Sequence, residues 1–242
     1  MPHDPVFDDH ARGLARLKLW YLRWVMDHEG MSFDEAARTR VGLRRMTVFA
    51  GSPAQGVAED PDGWDVMLAR LANLYDAHAD DPDTDALEAE SLALLWPHMQ
   101  PVIDWDLAAA AVFLAEAFGC FKYEFAKYYV DPEAEDHLTL HIRNAYQPDS
   151  PFHHLPEMAA DLREIADRSA RERPDVEWVQ CGSWLNSVPA FVSLFPPSWR
   201  ETAVLRSPAH HMGWWGQFTD RRGGVNERRA ALLRKTGQFP NA

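Results

Sequence analysis

The sequence predicts a mixed α/β (α+β) fold in one compact body, a helical amino-terminal part over residues 1–100 followed by an α/β part over residues 101–242. Three observations predict it. Apolar residues recur at three- and four-residue spacing through most of the first half of the chain. At His137 the period changes, and Leu138, Leu140 and Ile142 alternate with Thr139, His141 and Arg143. A helix-length stretch and a second strand-like run then follow, and a strand–helix–strand crossover lays its two strands parallel.

The elements follow in order. From about Asp9 to His28, Leu14, Leu17, Tyr21, Trp24 and Val25 form the apolar face of an amphipathic helix that Gly30 ends. Ser32-Phe33-Asp34-Glu35 matches a capping box and opens a short helix to about Arg40. The Gly- and Pro-rich run Gly51 to Gly63 reads as a loop, after which Val66, Leu68, Leu71, Leu74 and Tyr75 resume helical spacing. A helix from Ala86 to Trp96 is expected to close at Pro97, and a long apolar, central helix is expected from about Asp104 to Tyr129. The strand at His137 comes next, then a turn at Pro148-Asp149-Ser150-Pro151, a helix from Pro156 to Ala170 and a strand from Val176 to Leu185. An aromatic-rich irregular segment leads to a last helix capped by Asn226 and stopped by Gly237.

Composition excludes several classes of function. With 46% hydrophobic and 25% charged residues the chain has globular composition. A formal net charge of −13 opposes the phosphate backbone of nucleic acid, whose binding needs Lys and Arg to release counterions. No uninterrupted apolar stretch reaches membrane-spanning length, so no membrane partner is expected. Two cysteines, Cys120 and Cys181, lie in apolar surroundings and suggest neither a disulfide framework nor a cysteine metal knot, which fits a reducing cytoplasm. From Arg200 onward the charge turns basic, with Arg206, Arg221, Arg222, Arg228, Arg229, Arg234 and Lys235, a stretch able to receive a small phosphorylated ligand or simply to form a solvated face.

Cys181-Gly182-Ser183-Trp184-Leu185-Asn186-Ser187 gathers a thiol, a hydroxyl, an indole and an amide at the end of a predicted strand, where ligands collect in crossover sheets. The alternative is that Ser183 and Asn186 cap the turn while Trp184 packs. Parallel pairing of the two predicted strands would bring His141 and Asn144 near Ser183 or Asn186, and imidazole is suited to proton relay. His137 and His141 lie four apart, and Glu116 and Glu124, two turns apart on the expected long helix, would share a face with a metal-binding potential. The pairs His153-His154 and His210-His211 flank loops and are weak ligand candidates. Trp184, Trp214 and Trp215 are candidate walls of an apolar substrate pocket.

The aromatic helix end Phe118-Gly119-Cys120-Phe121-Lys122-Tyr123-Glu124, the strand Leu138-Thr139-Leu140-His141-Ile142, the helix after Pro151, Ser183-Trp184-Leu185 and the final helix Asn226 to Thr236 occur in an order that resembles the bacterial GNAT-like acyltransferase-related proteins. The resemblance covers about residues 100–240. It implies a twisted mixed sheet flanked by helices and acyl transfer from an acyl-CoA thioester. The Arg/Gln-x-x-Gly-x-Gly/Ala loop usual in that family is missing here, and Asn186 stands where an apolar residue is usual.

Three functions follow as expectations. The first is transfer of an acyl group to an amine or hydroxyl of a small molecule, with Glu124 or His141 as proton acceptor, Ser183 or Tyr123 as donor to the leaving thiolate, and Asn144, Trp184, Asn186, Trp214 and Trp215 binding substrate. The second is a metal-dependent oxygenase or hydrolase using Glu116, Glu124, His137 and His141. The third is a non-catalytic GNAT-like shell that binds a metabolite or a partner protein.

Overall fold

A computed structural model describes residues 5–81, 83–126, 137–204 and 212–240. The chain divides into two compact units, one of residues 1–108 and 205–242, the other of residues 109–204.

The first unit is helical. Helix α1, Pro5–Glu29, buries Ala15, Leu17, Leu19, Tyr21, Leu22 and Val25, while Leu14 is only half-buried. Gly30, at φ +68°, takes the left-handed turn that ends it. In α2, Phe33–Thr39, the Ser32 hydroxyl accepts from the Glu35 amide at 3.3 Å, the first half of the predicted capping box. Helix α3, Pro61–Ala77, is capped by Asp60, which accepts from the Gly63 amide at 2.8 Å, and buries Trp64, Met67, Leu68, Leu71 and Tyr75.

Helix α4 corrects two expectations. It is one helix, Asp85–Glu116, passing through Pro97 and Pro101 rather than closing at Pro97. Each proline removes an amide donor and crowds the preceding turn. The buried row Leu87, Leu92, Leu95, Met99 and Ile103 nevertheless continues on both sides of Pro97, so side-chain packing carries the helix across. The predicted helix through Tyr129 instead ends at Glu116, and its last turns are peripheral, with Val112 and Leu114 exposed.

After residue 212 the chain contributes α8, Met212–Trp215, and α9, Glu227–Thr236, to the first unit. Asn226 caps α9 by accepting from the Arg229 amide, and Gly237, at φ +67°, stops it. Tyr21 packs edge-on to Trp215 and Phe239, and a Cβ on Gly237 would run into the Trp24 ring.

The second unit is built on a three-stranded sheet of order β1-β2-β3. Strand β1, Phe121–Ala126, occupies residues expected to be helical. Gly119, at φ +54°, breaks the helical path, and paired backbone bonds between Phe118 and Phe121 turn the chain into the strand. Strand β2, His137–Ile142, pairs antiparallel with β1, Lys122 opposite His141 and Glu124 opposite Thr139. Helix α5, Leu155–Glu172, forms the predicted crossover, and β3, Trp178–Gln180, lies parallel to β2. The expected second strand is therefore short, because a 310 turn, Trp184–Ser187, replaces its far half. Phe121, Leu138 and Leu140 join Met158 and Ile165 of α5 and Phe191 of α6, Pro189–Val192, in the core. Short α7, Ser198–Glu201, follows. Among the described residues no helix is long and apolar enough to cross a membrane.

Candidate functional site

Alternation along β1 and β2 sorts their side chains between two faces. Phe121, Tyr123 and Phe125, with Leu138, Leu140 and Ile142, face the core under α5. Lys122 and Glu124, with His137, Thr139 and His141, take the opposite face, and β3 adds Gln180, whose amide donates to the Thr139 hydroxyl at 2.7 Å. This face carries three rows across the sheet. Lys122 stands beside His141, Glu124 beside Thr139 and Gln180, and His137 beside Trp178.

The central feature is a His–Glu pair. His141 Nε2 lies 3.4 Å from Glu124 Oε2, and the two side chains are 42% and 54% exposed, so the pair is open to a small molecule. The nitrogen itself is buried and makes no hydrogen bond, Glu124 standing against it at ion-pair distance only. Lys122 reaches away from the pair, its Nζ 2.6 Å from Glu116 Oε2 in the last turn of α4. A carboxylate against one imidazole nitrogen favours a hydrogen there and leaves the other nitrogen free to take a proton.

Other predicted site residues serve the fold. The Ser183 hydroxyl accepts from the Leu185 amide at 3.2 Å and caps the 310 turn. Asn186 donates to the Cys181 carbonyl at 2.8 Å and accepts from the Trp199 indole at 3.0 Å, so both ends of its amide are engaged. Trp184 is half-buried at the start of that turn. Asn144 closes its own loop, accepting from the Tyr146 amide at 3.0 Å and donating to the Asp149 carbonyl at 2.8 Å. Tyr123 points to the α5 side, away from Glu124, and its hydroxyl donates to Glu172 at 2.9 Å. Burial, with Glu172 beside it, raises its pKa.

Trp214 and Trp215 belong to the first unit and are buried there, Trp215 only 1% exposed among Tyr21, Phe218 and Phe239. Arg234, one of the basic residues that the sequence offers to a phosphorylated ligand, holds Glu88 with bonds of 2.9 and 3.0 Å. Arg206, His210 and His211 lie outside the described residues.

The expected alignment of Glu116 and Glu124 on one helix does not occur, because Glu116 ends α4 while Glu124 sits on β1. Among the described residues no three His, Cys, Asp or Glu side chains come together as a metal-binding group. A separate cluster joins His153 and His154 to Asp149 at 2.8 and 3.3 Å, with His154 stacked on Tyr146 at 3.9 Å. The Ser150 amide and His153 hold the Asp149 carboxyl below its ordinary range. Both thiols are subdued, since burial raises Cys120 and pushes Cys181 up to about 12.

The sequence reading missed Lys122, Thr139, Gln180 and Trp178 as companions of the pair. The signal for Lys122 was present in Phe121-Lys122-Tyr123-Glu124-Phe125, which alternates apolar and polar after Gly119. Comparison with protein-family models, with curated proteins and with solved structures finds no match to this chain.

Proposed function

We propose that the half-exposed His141–Glu124 pair on the sheet is a general-base site for acyl transfer from an acyl-CoA thioester to an amine or hydroxyl of a small molecule. The observation that carries the proposal is the half-exposed His141–Glu124 pair at 3.4 Å. The pair makes no hydrogen bond in this structure, and catalytic contacts of this kind commonly tighten only when substrate binds. Glu124 orients the imidazole, and the free ring nitrogen takes the acceptor's proton. The acceptor's lone pair attacks the thioester carbonyl, the carbon–sulfur bond breaks, and the thiolate leaves with a proton returned by the imidazolium through water. The products are the amide or ester and the free thiol.

The test is release of free coenzyme A from acetyl-CoA, followed with a thiol reagent across a panel of primary amines and alcohols. Turnover with at least one acceptor is expected, with kcat/KM falling by roughly 10²-fold or more in His141→Gln. No turnover and no heat of binding with acetyl-CoA or coenzyme A would remove the proposal. A second reading, a shell that binds without turnover, is favoured by the commitment of Ser183, Tyr123 and Asn186 to internal hydrogen bonds. Binding of coenzyme A with no product from any acceptor would select it.

A further inference from the structure

We propose that Glu116 is a positioning residue for the His141–Glu124 pair, holding the Lys122 ammonium at the end of α4 and off the Glu124 carboxylate. The inference rests on the general-base reading of this face. Lys122 is the direct cross-strand partner of His141, and Glu124 lies two residues along the same strand on the same face. Cross-strand neighbours of this kind are within side-chain reach of each other. A lysine so placed has two carboxylates available, and the structure gives it to Glu116, at 2.6 Å. Glu124 is left to His141, at 3.4 Å.

The geometry that makes this choice is local. Helix α4 ends at Glu116, and the turn through Gly119 brings β1 back past the helix end, so that six residues of chain separate the ammonium from its carboxylate. The Glu116 and Lys122 side chains are 55% and 24% exposed, and an ion pair open to water contributes little to stability. Its consequence is therefore where the charge is held. Among the described residues, the charged or titratable groups on the His141 side of the sheet are Lys122 and Glu124 on β1, His137 on β2 and Arg143 just past its end, with Glu116 of α4 reaching Lys122. The Arg143 guanidinium lies 5.6 Å from the centre of the Phe113 ring, also on α4. From β3 the nearest side chain of the middle row is Gln180, neutral and bonded to Thr139.

Removing the Glu116 charge frees Lys122 to compete for Glu124, which puts a cation against the imidazole and takes away its partner. Both changes disfavour the protonated ring. The experiment follows the His141 imidazole by NMR through a pH titration in the wild type, Glu116→Gln, Lys122→Met and the double variant. The expected result is a titration midpoint displaced to lower pH in Glu116→Gln and brought back when Lys122→Met is added, a non-additivity that reports the Lys122 route. A Glu116→Gln midpoint indistinguishable from wild type overturns the inference, and so does a displacement that Lys122→Met fails to reverse. Because the readout needs no turnover, a displaced and restored midpoint in a protein without acyl transfer would sustain the role of Glu116 while removing the proposed reaction.

Discussion

Glu88 in the helical unit is 1% exposed and is held by Arg234 at 2.9 and 3.0 Å, by Arg16 at 3.4 Å and by the Thr84 hydroxyl at 3.0 Å. Glu124 in the sheet unit is 54% exposed and faces one imidazole at 3.4 Å. The same carboxylate chemistry serves different ends. A buried charge must be fully paired, since its desolvation is otherwise uncompensated. A half-exposed one costs the fold little and keeps bonding capacity for a ligand. The contrast extends to the cations, with Lys18 sealed in the helical unit against the Val41 carbonyl at 2.8 Å and Lys122 on the sheet held by an exposed glutamate.

Substitutions in the two units test that contrast. A pH-dependent effect is expected at Lys18, whose ammonium burial pushes down to about 7, with Arg45 acting in the same direction. Between that value and the ordinary 10.5, the unfolded chain carries a proton that the folded chain lacks, so stability rises with pH across this window. The slope is about 1.4 kcal/mol per pH unit for one group. Urea unfolding at about pH 7 and about pH 9 is expected to show the wild type gaining roughly 2 kcal/mol more than Lys18→Met over that interval. Equal gains would mean that the amine is not buried as described.

Glu88→Ala strands the facing guanidinium groups and is expected to cost roughly 3 kcal/mol by the same unfolding measurement, the lower part of the range for a broken buried pair because Arg234 is partly exposed. A smaller effect is expected at Asn186. With both ends of its amide bonded to Cys181 and Trp199, Asn186→Ala is expected to lower stability by about 1–2 kcal/mol. If instead it leaves unfolding unchanged and weakens ligand binding, the segment belongs to the site after all.

The periodicity that was legible in the sequence is the periodicity that packing obeys. Leu138-Thr139-Leu140-His141-Ile142 announced β2, the run after Pro151 announced α5, and Ser32, Asn226, Gly30 and Gly237 marked helix ends. Local rules failed where tertiary packing overrode them. Pro97 lies within an α4 face whose apolar row continues past it, and the aromatic density of Phe118 to Phe125 hid a two-residue alternation. Half of the candidate site was legible. His141 and Glu124 were both named from residue type, but their pairing depended on the antiparallel register of β1 with β2, which becomes visible only once β1 is known to be a strand. Asn186 and Ser183 were ambiguous because turn caps and ligand-binding groups draw on the same side chains.

The most direct measurement sets folding against turnover at the His141–Glu124 pair. Because both side chains are partly exposed, His141→Gln and Glu124→Gln are expected to change unfolding free energy by less than about 1 kcal/mol. On the general-base reading, kcat/KM for acyl transfer from acetyl-CoA is expected to fall by roughly 10²-fold or more in His141→Gln, with stability held and a smaller fall in Glu124→Gln. Unchanged turnover in both variants, or a loss of turnover that tracks a loss of stability, would contradict it.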